Sequence, residues 1–209
     1  MEYNIKLIRK EIIILMIPLI VESFLQICTN FVATAMVGRL EPIDVSSQGM
    51  STKITDIVYY FFRGTGTAMV VLIARYNAKD EIKKCRHIFH KTVQSMIVLG
   101  SCGSILIIIV PELLLGCFTA DDLLIEYAVP YLRIIAYGLP FWTVMIGVTS
   151  VFQGVGDTKT PMFLALYINI VNLLLCWILI FGHFGAPQLG VLGAAVSLTV
   201  SRIIGCIAG

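Results

Sequence analysis

Residues 160–201 contain no Asp, Glu, Lys or Arg, and their one titratable interruption is His183, in a Gly-His-Phe-Gly-Ala-Pro stretch. Residues 92–111 and 134–156 are also free of those four residue types. Runs of this length constrain the fold strongly. In hydrocarbon there is no water to satisfy backbone N–H and C=O groups, so a spanning segment bonds them internally, and a helix needs about 20 apolar residues to cross. Six such stretches are readable, at about 12–37, 54–74, 92–110, 129–151, 163–181 and 189–208. A membrane barrel would instead show short segments of alternating polarity. The expected fold is an all-α polytopic membrane protein with six transmembrane helices in one membrane domain, 1–209.

Composition narrows the function classes. The 209 residues are 58% hydrophobic and 13% charged, about half the charge of an average soluble domain, and the mean hydropathy is +0.91. A chain this apolar is not a disordered one. A net charge of +2 is too small for a phosphate-reading surface, so no nucleic-acid partner is expected. Six Cys show no C-x-x-C pairing and read as buried, inert thiols rather than a disulfide framework or metal site.

The first stretch follows Lys6, Arg9 and Lys10 as a secretory leader would. It is too long for a leader's apolar region and is followed by Val37-Gly38-Arg39 rather than a small-residue cleavage site, so it reads as a retained helix. Lys and Arg concentrate on alternate loops: ten lie at the amino terminus, in the second loop and in the fourth, against two, Arg39 and Lys53, in the first. The positive-inside rule then places both termini in the cytoplasm.

Polar side chains at membrane depth are costly and mark candidate sites. In the first span Glu22, Gln26, Asn30 and Ala33 fall on one helical face. A carboxylate lined by amides can hold a proton, a cation or a cationic substrate; it can equally hydrogen-bond a neighbouring helix as structural glue. The fifth span repeats the pattern with Asn169, Asn172 and Cys176. The two Asn can coordinate a ligand or satisfy a bent backbone. In the second span Asp56, Tyr60, Arg63 and Thr67 share a face, and an Asp56–Arg63 pairing bridged through Tyr60 is expected. Gly64 and Gly66 permit close packing or local unwinding. Pro18 and Pro140 each remove a hydrogen bond within a span, giving either a hinge or a static kink. In the turn 154–161, Asp157 is expected to cap the next helix, with Pro161 in its first turn. Enzymatic chemistry is not expected: there is no His-Glu-x-x-His pair and no P-loop, and His87, His90 and His183 lie in or beside loops, away from Ser101 and Ser104.

Taken together, these residues resemble the multidrug and toxic compound extrusion family from end to end. The anchors are Pro18-Leu-Ile-Val-Glu22 with Asn30 through Leu40, Gly64-Thr-Gly66 with Val71 through Arg75, and Tyr131-Leu-Arg133 with Gly138-Leu-Pro-Phe141. They continue with Gln153 through Pro161, Asn169-Ile-Val-Asn172 with Ile178 through Gly182, and Gly190 through Ala195. The resemblance implies a secondary efflux transporter that exchanges drugs or other organic cations for protons or sodium ions. It implies no cofactor beyond that coupling ion and a multi-pass location in the cytoplasmic (inner) membrane. It also implies one lobe of a twelve-helix inverted two-lobe transporter, hence an incomplete chain and a second six-helix lobe in cis or a second copy as partner, within the lipid bilayer.

On that resemblance Glu22, Gln26, Asn30, Asn169 and Asn172 are the expected substrate and cation residues, with Pro18, Gly64, Gly66 and Pro140 as hinge or packing positions. The family's amino-lobe carboxylates are replaced here by Ala33 and Cys176, and a Thr that follows its Gly-Ala-Ala is matched by Leu198, with Thr199 one place off. Glu22 is therefore the one carboxylate on the first-span stripe. Two other readings remain at this stage: a non-transporting half-length module or remnant, and a lipid-linked precursor flippase with a more cationic cavity, favoured by Arg63 and Arg202.

Overall fold

The computed structural model describes residues 5–208, without the side chains of residues 5–8, 10 and 11. Lys6 and Lys10 of the positive amino-terminal cluster therefore lie outside the described side chains. Six long helices form where the apolar runs predict them: α1 (Ile5–Val37), α2 (Pro42–Asn77), α3 (Ile82–Ile109), α5 (Asp122–Gly154), α6 (Lys159–Phe181) and α7 (Val191–Ala208). A short α4 (Pro111–Gly116) and a single 3-10 turn (His183–Gly185) complete the order, with no strand among the described residues.

Several helices outrun the apolar stretches that announce them. α2 has 36 residues, or about 54 Å at 1.5 Å per residue against a hydrocarbon core of about 30 Å. Its Pro42–Lys53 portion and the Lys-rich start of α3 are helical although they lie outside the apolar runs. Hydropathy marks where a helix meets lipid, whereas caps decide where it ends. Pro42 and Pro111 open α2 and α4 at positions whose N–H would be unsatisfied anyway. His87 and His90 consequently sit on α3 rather than in a loop.

As expected, Asp157 caps α6. Its Oδ1 accepts the N–H groups of Lys159 and Thr160 at 3.0 and 3.1 Å, and its Oδ2 accepts the Thr160 hydroxyl at 2.6 Å. Pro161 lies in the first turn of α6. Those hydrogen bonds, the Thr160 hydroxyl first, hold the Asp157 carboxyl below its ordinary range.

α5 is the centre of the bundle. It packs on α2, α3 and α7; α7 packs on α6, and α6 carries α1. One core joins Phe62, Met96, Leu132 and Leu139, and a second joins Tyr131, Cys176, Ile180 and Ala195. Between membrane helices there is little hydrophobic drive, since lipid is as apolar as Leu, so close packing and interhelical hydrogen bonds carry association. Gly66 illustrates the first: a Cβ there would stand 2.8 Å from both Ile146 Cγ2 and Ser150 Oγ of α5. Gly64 does not pack, because it looks into open space, and α2 runs unbroken through both glycines without unwinding.

Ser104 illustrates the second. Pro140 has no N–H, which frees the carbonyl four residues back on Ala136. The Ser104 hydroxyl of α3 donates to that carbonyl at 2.6 Å. Pro18 lies inside α1 in the same way.

Large apolar side chains such as Phe24, Phe31, Phe61, Leu106 and Ile109 cover the outside, where six apolar helices present them to lipid. The cysteines correct one expectation. All are free, but Cys176 is the only buried one; Cys102 and Cys117 are exposed and the others intermediate. Cysteine is apolar enough to stand on a lipid-facing surface as readily as in a core.

Candidate functional site

The polar residues inside the spans converge on one cleft of about 460 Å³, with walls from α1, α2, α5, α6 and α7. α1 packs on α6 and touches α2 only lightly, which leaves the space between them. The helical period then determines what faces it. Glu22, Gln26, Asn30 and Ala33 of α1 all line the cleft, as do Asn169, Asn172 and Cys176 of α6.

The cleft has an open side and a closed end. Gln26, Asn30, Asp56 and Arg63 are exposed on the open side, whereas Asn172, Cys176, Tyr131, Trp142 and Arg202 are buried at the closed end. Glu22 lies between these extremes. The closed end is partly aromatic: the Trp142 ring stacks on Tyr59 at 4.8 Å and 8°, and the Arg202 guanidinium lies 3.9 Å over Trp142.

Hydrogen bonding in the cleft is incomplete. Glu22 Oε2, Gln48 Oε1, Asn172 Nδ2 and an Arg202 terminal nitrogen are buried without a partner among the described residues, and all four residues line the cleft. An unpaired buried polar atom costs about 1–3 kcal/mol, so native structures rarely keep one without water or a ligand. Four converging on one cleft mark it as a place built to receive polar guests.

The expected Asp56–Arg63 pair does not form. The only ion pairs among the described residues are Lys84–Glu81 and Arg133–Glu112, at 2.6 and 3.4 Å. Tyr60 is exposed and meets the Tyr59 ring instead of bridging the two charges. Sharing a helix face does not hold long side chains together when both open on a roomy cleft. Arg63 instead faces the charge of Glu22, and Asp56 that of Arg202, each pair separated by more than salt-bridge distance.

Of the remaining positions, Pro18, Gly64, Gly66 and Pro140 lie outside the lining of the cleft. Thr199 is committed to structure, donating to Ile134 O at 3.0 Å. Sequence reasoning did not place Gln48, Thr52 and Tyr131, which gather near the closed end. Their signal was faint, because Gln48 and Thr52 precede the apolar run of α2 and Tyr is unremarkable in a span. Arg202 had a clearer signal, a guanidinium within an apolar stretch.

Residues 18–178 match the MatE family pattern. The chain is 31% identical over 201 residues to "Probable multidrug resistance protein NorM" of Thermotoga maritima, covering 95% of this chain and 43% of that protein. It is 27% identical over 190 residues to "Probable multidrug resistance protein YoeA" of Bacillus subtilis, covering 90% and 41%. It thus spans less than half the length of these relatives. Among solved structures, an outward-facing multidrug resistance MATE family transporter of the MOP superfamily superposes with a TM-score of 0.88 at 20% identity, covering 95% of this chain and 43% of that one. A MOP superfamily transporter from Pyrococcus furiosus, described as having a binding pocket of reverse polarity that suggests a different function, superposes at 0.87 and 20% identity with the same coverage. At this identity the structures speak to the fold.

Proposed function

The chain is a multi-pass membrane protein that belongs to the MatE family, and from that premise we propose that it forms one lobe of a cation-coupled efflux transporter for drugs or other organic cations. The observation that carries the reading is the convergence of Glu22, Gln26, Asn30, Asn169 and Asn172 on a single cleft inside an otherwise apolar bundle. Intramembrane carboxylates and amides at such a place are the usual means of holding an ion or proton.

Glu22 is the coupling carboxylate in this reading. With Ala33 and Cys176 at the other two positions, it is the acidic group of the α1 stripe, and its buried Oε2 has no partner among the described residues. A proton or sodium ion on Glu22 neutralises it and weakens its hold on an organic cation; the cation, once bound, excludes the ion. Competition for one carboxylate is the simplest route to antiport.

The open side of the cleft calls for a partner. Exposed Gln26, Asn30, Asp56 and Arg63 cannot face hydrocarbon without large cost, so this side meets water or a second polar wall. We assign that wall to a second six-helix lobe, in cis or as a second copy. Alternating access is then the movement of one lobe against the other around the shared midplane site. The cytoplasmic (inner) membrane is the proposed location.

The test is export of ethidium from cells that express the protein, with the Glu22→Gln variant at matched abundance. A fall in export of about tenfold or more is expected, the size of one charged interaction. Unchanged export removes Glu22 from the mechanism. Crosslinking in native membranes, read as self-links or links to a second lobe, identifies the partner.

A further inference from the structure

We propose that Arg202 and Asn172 form a subsite for an oxyanion, a carboxylate or phosphate group carried by an amphipathic ligand, at the closed end of the cleft. The proposal rests on the reading of the cleft as a ligand-binding one and adds to it a ligand charge opposite to that recognised by Glu22.

Arg202 is 8% exposed. Among the described residues no carboxylate lies within 4 Å of it and none hydrogen-bonds to it, and one terminal nitrogen is fully buried without a partner there. Its guanidinium lies over the Trp142 face, at 3.9 Å, with Tyr59 stacked behind, and the polar groups that face it are the Tyr131 hydroxyl and the Asp56 carboxylate. A ring face attracts a guanidinium but leaves all five of its N–H groups unused, because they radiate in the guanidinium plane. Arginine held this way presents a donor fork, the geometry that oxyanions fit.

A second orphan donor sits at the same level. α6 and α7 run antiparallel, with Ile168 against Gly205 at one end and the Leu179–Ile180 backbone against Gly193 at the other. That register places Asn172 opposite Ser201 and Arg202. Asn172 is 5% exposed, and its buried Nδ2, a donor, has no partner among the described residues. Both residues line the cleft. Two unsatisfied donors at one depth ask for an acceptor. A cationic guest there would leave both unpaired and meet a like charge.

Asp56 opposes this. Its charge faces Arg202 without pairing to it, so it competes with an incoming anion. That competition makes the proposal testable without removing Arg202.

The measurement uses the full chain in phosphatidylcholine nanodiscs, in a Trp177→Phe background so that Trp142, the other of the two Trp, reports binding beneath Arg202. The probes are hexanoate, hexyl phosphate and hexyltrimethylammonium, alike in tail and different in head. Hexanoate is expected to bind about tenfold or more tightly than hexyltrimethylammonium, and Arg202→Gln to abolish that preference. Asp56→Asn should tighten hexanoate binding several-fold. Displacement of hexanoate by phosphatidic acid added to the nanodisc identifies a lipid phosphate as the source; resistance to displacement identifies a free carboxylate.

No preference for hexanoate over the cation overturns the proposal. So does an unchanged preference in folded Arg202→Gln, or an unchanged or weaker hexanoate affinity in Asp56→Asn. If Arg202→Gln fails to fold, Asp56→Asn decides alone. Absence of ethidium export by the unsubstituted protein with oxyanion binding intact defeats only the efflux reading, and export without oxyanion preference defeats only this one.

Discussion

Two glycines in helices should respond in opposite directions to the same substitution. A Cβ on Gly193 would stand 2.7 Å from both the carbonyl carbon and oxygen of Leu179 and 3.0 Å from Ile180 N, all backbone atoms of α6. No side chain can rotate away, so α6 and α7 must separate. The same Leu179 oxygen accepts the N–H of Leu189 at 2.9 Å, which ties the turn between the helices. Gly193→Ala thus combines overpacking, about 1–3 kcal/mol, with a strained hydrogen bond worth about 1 kcal/mol. The helical gain of Ala over Gly, about 0.5–1 kcal/mol, offsets part of it.

The expected net loss is about 1–3.5 kcal/mol. Gly64→Ala adds its Cβ to open space and should keep only the gain of about 0.5–1 kcal/mol. Thermal unfolding in detergent micelles, followed by circular dichroism, measures both. If the two variants shift the transition in the same direction, the assignment of Gly193 as the α6–α7 contact is wrong.

Ser104→Ala should cost about 1 kcal/mol, because it orphans the Ala136 carbonyl that Pro140 leaves free; the same unfolding assay reads it, and Ser104→Thr, which keeps the donor hydroxyl, should lose less. Asp157→Ala should cost about 1 kcal/mol through loss of the α6 cap, measured as amide exchange at Lys159 and Thr160. The Asp157 carboxyl sits below its ordinary value of 3.8, so its contribution is full above that pH and is lost as pH falls through the lowered value. The side chain is only partly buried, so solvent screening keeps this pH effect to a few tenths of a kcal/mol, and Asp157→Asn should remove the pH dependence while keeping most of the cap.

Much of the architecture was legible because lipid imposes one simple rule. A backbone without water must be helical, so uncharged runs such as 134–156 announced spans. The rule says nothing about helix outside lipid, which is why the start of α2 and the short α4 were not anticipated. The α1 and α6 stripes were legible for the same kind of reason: 3.6 residues per turn puts Glu22, Gln26 and Asn30 on one face whatever that face meets. The Asp56–Arg63 pairing failed where this kind of inference ends. A shared face guarantees neighbouring Cβ atoms, whereas two long side chains bordering a cleft choose partners from every wall.

The sequence by itself therefore determined six apolar helices, their polar stripes and the cap at Asp157, since each depends on local period or on bonds spanning a few residues. The tertiary structure alone decided that the α1 and α6 stripes share one cleft. It also decided that Ser104 repairs the backbone at Pro140 and that Arg202 rests on Trp142 with its donors free. Those arrangements join residues far apart in the chain, and the crossing of α5 with its neighbours creates them; no spacing within a single helix encodes it.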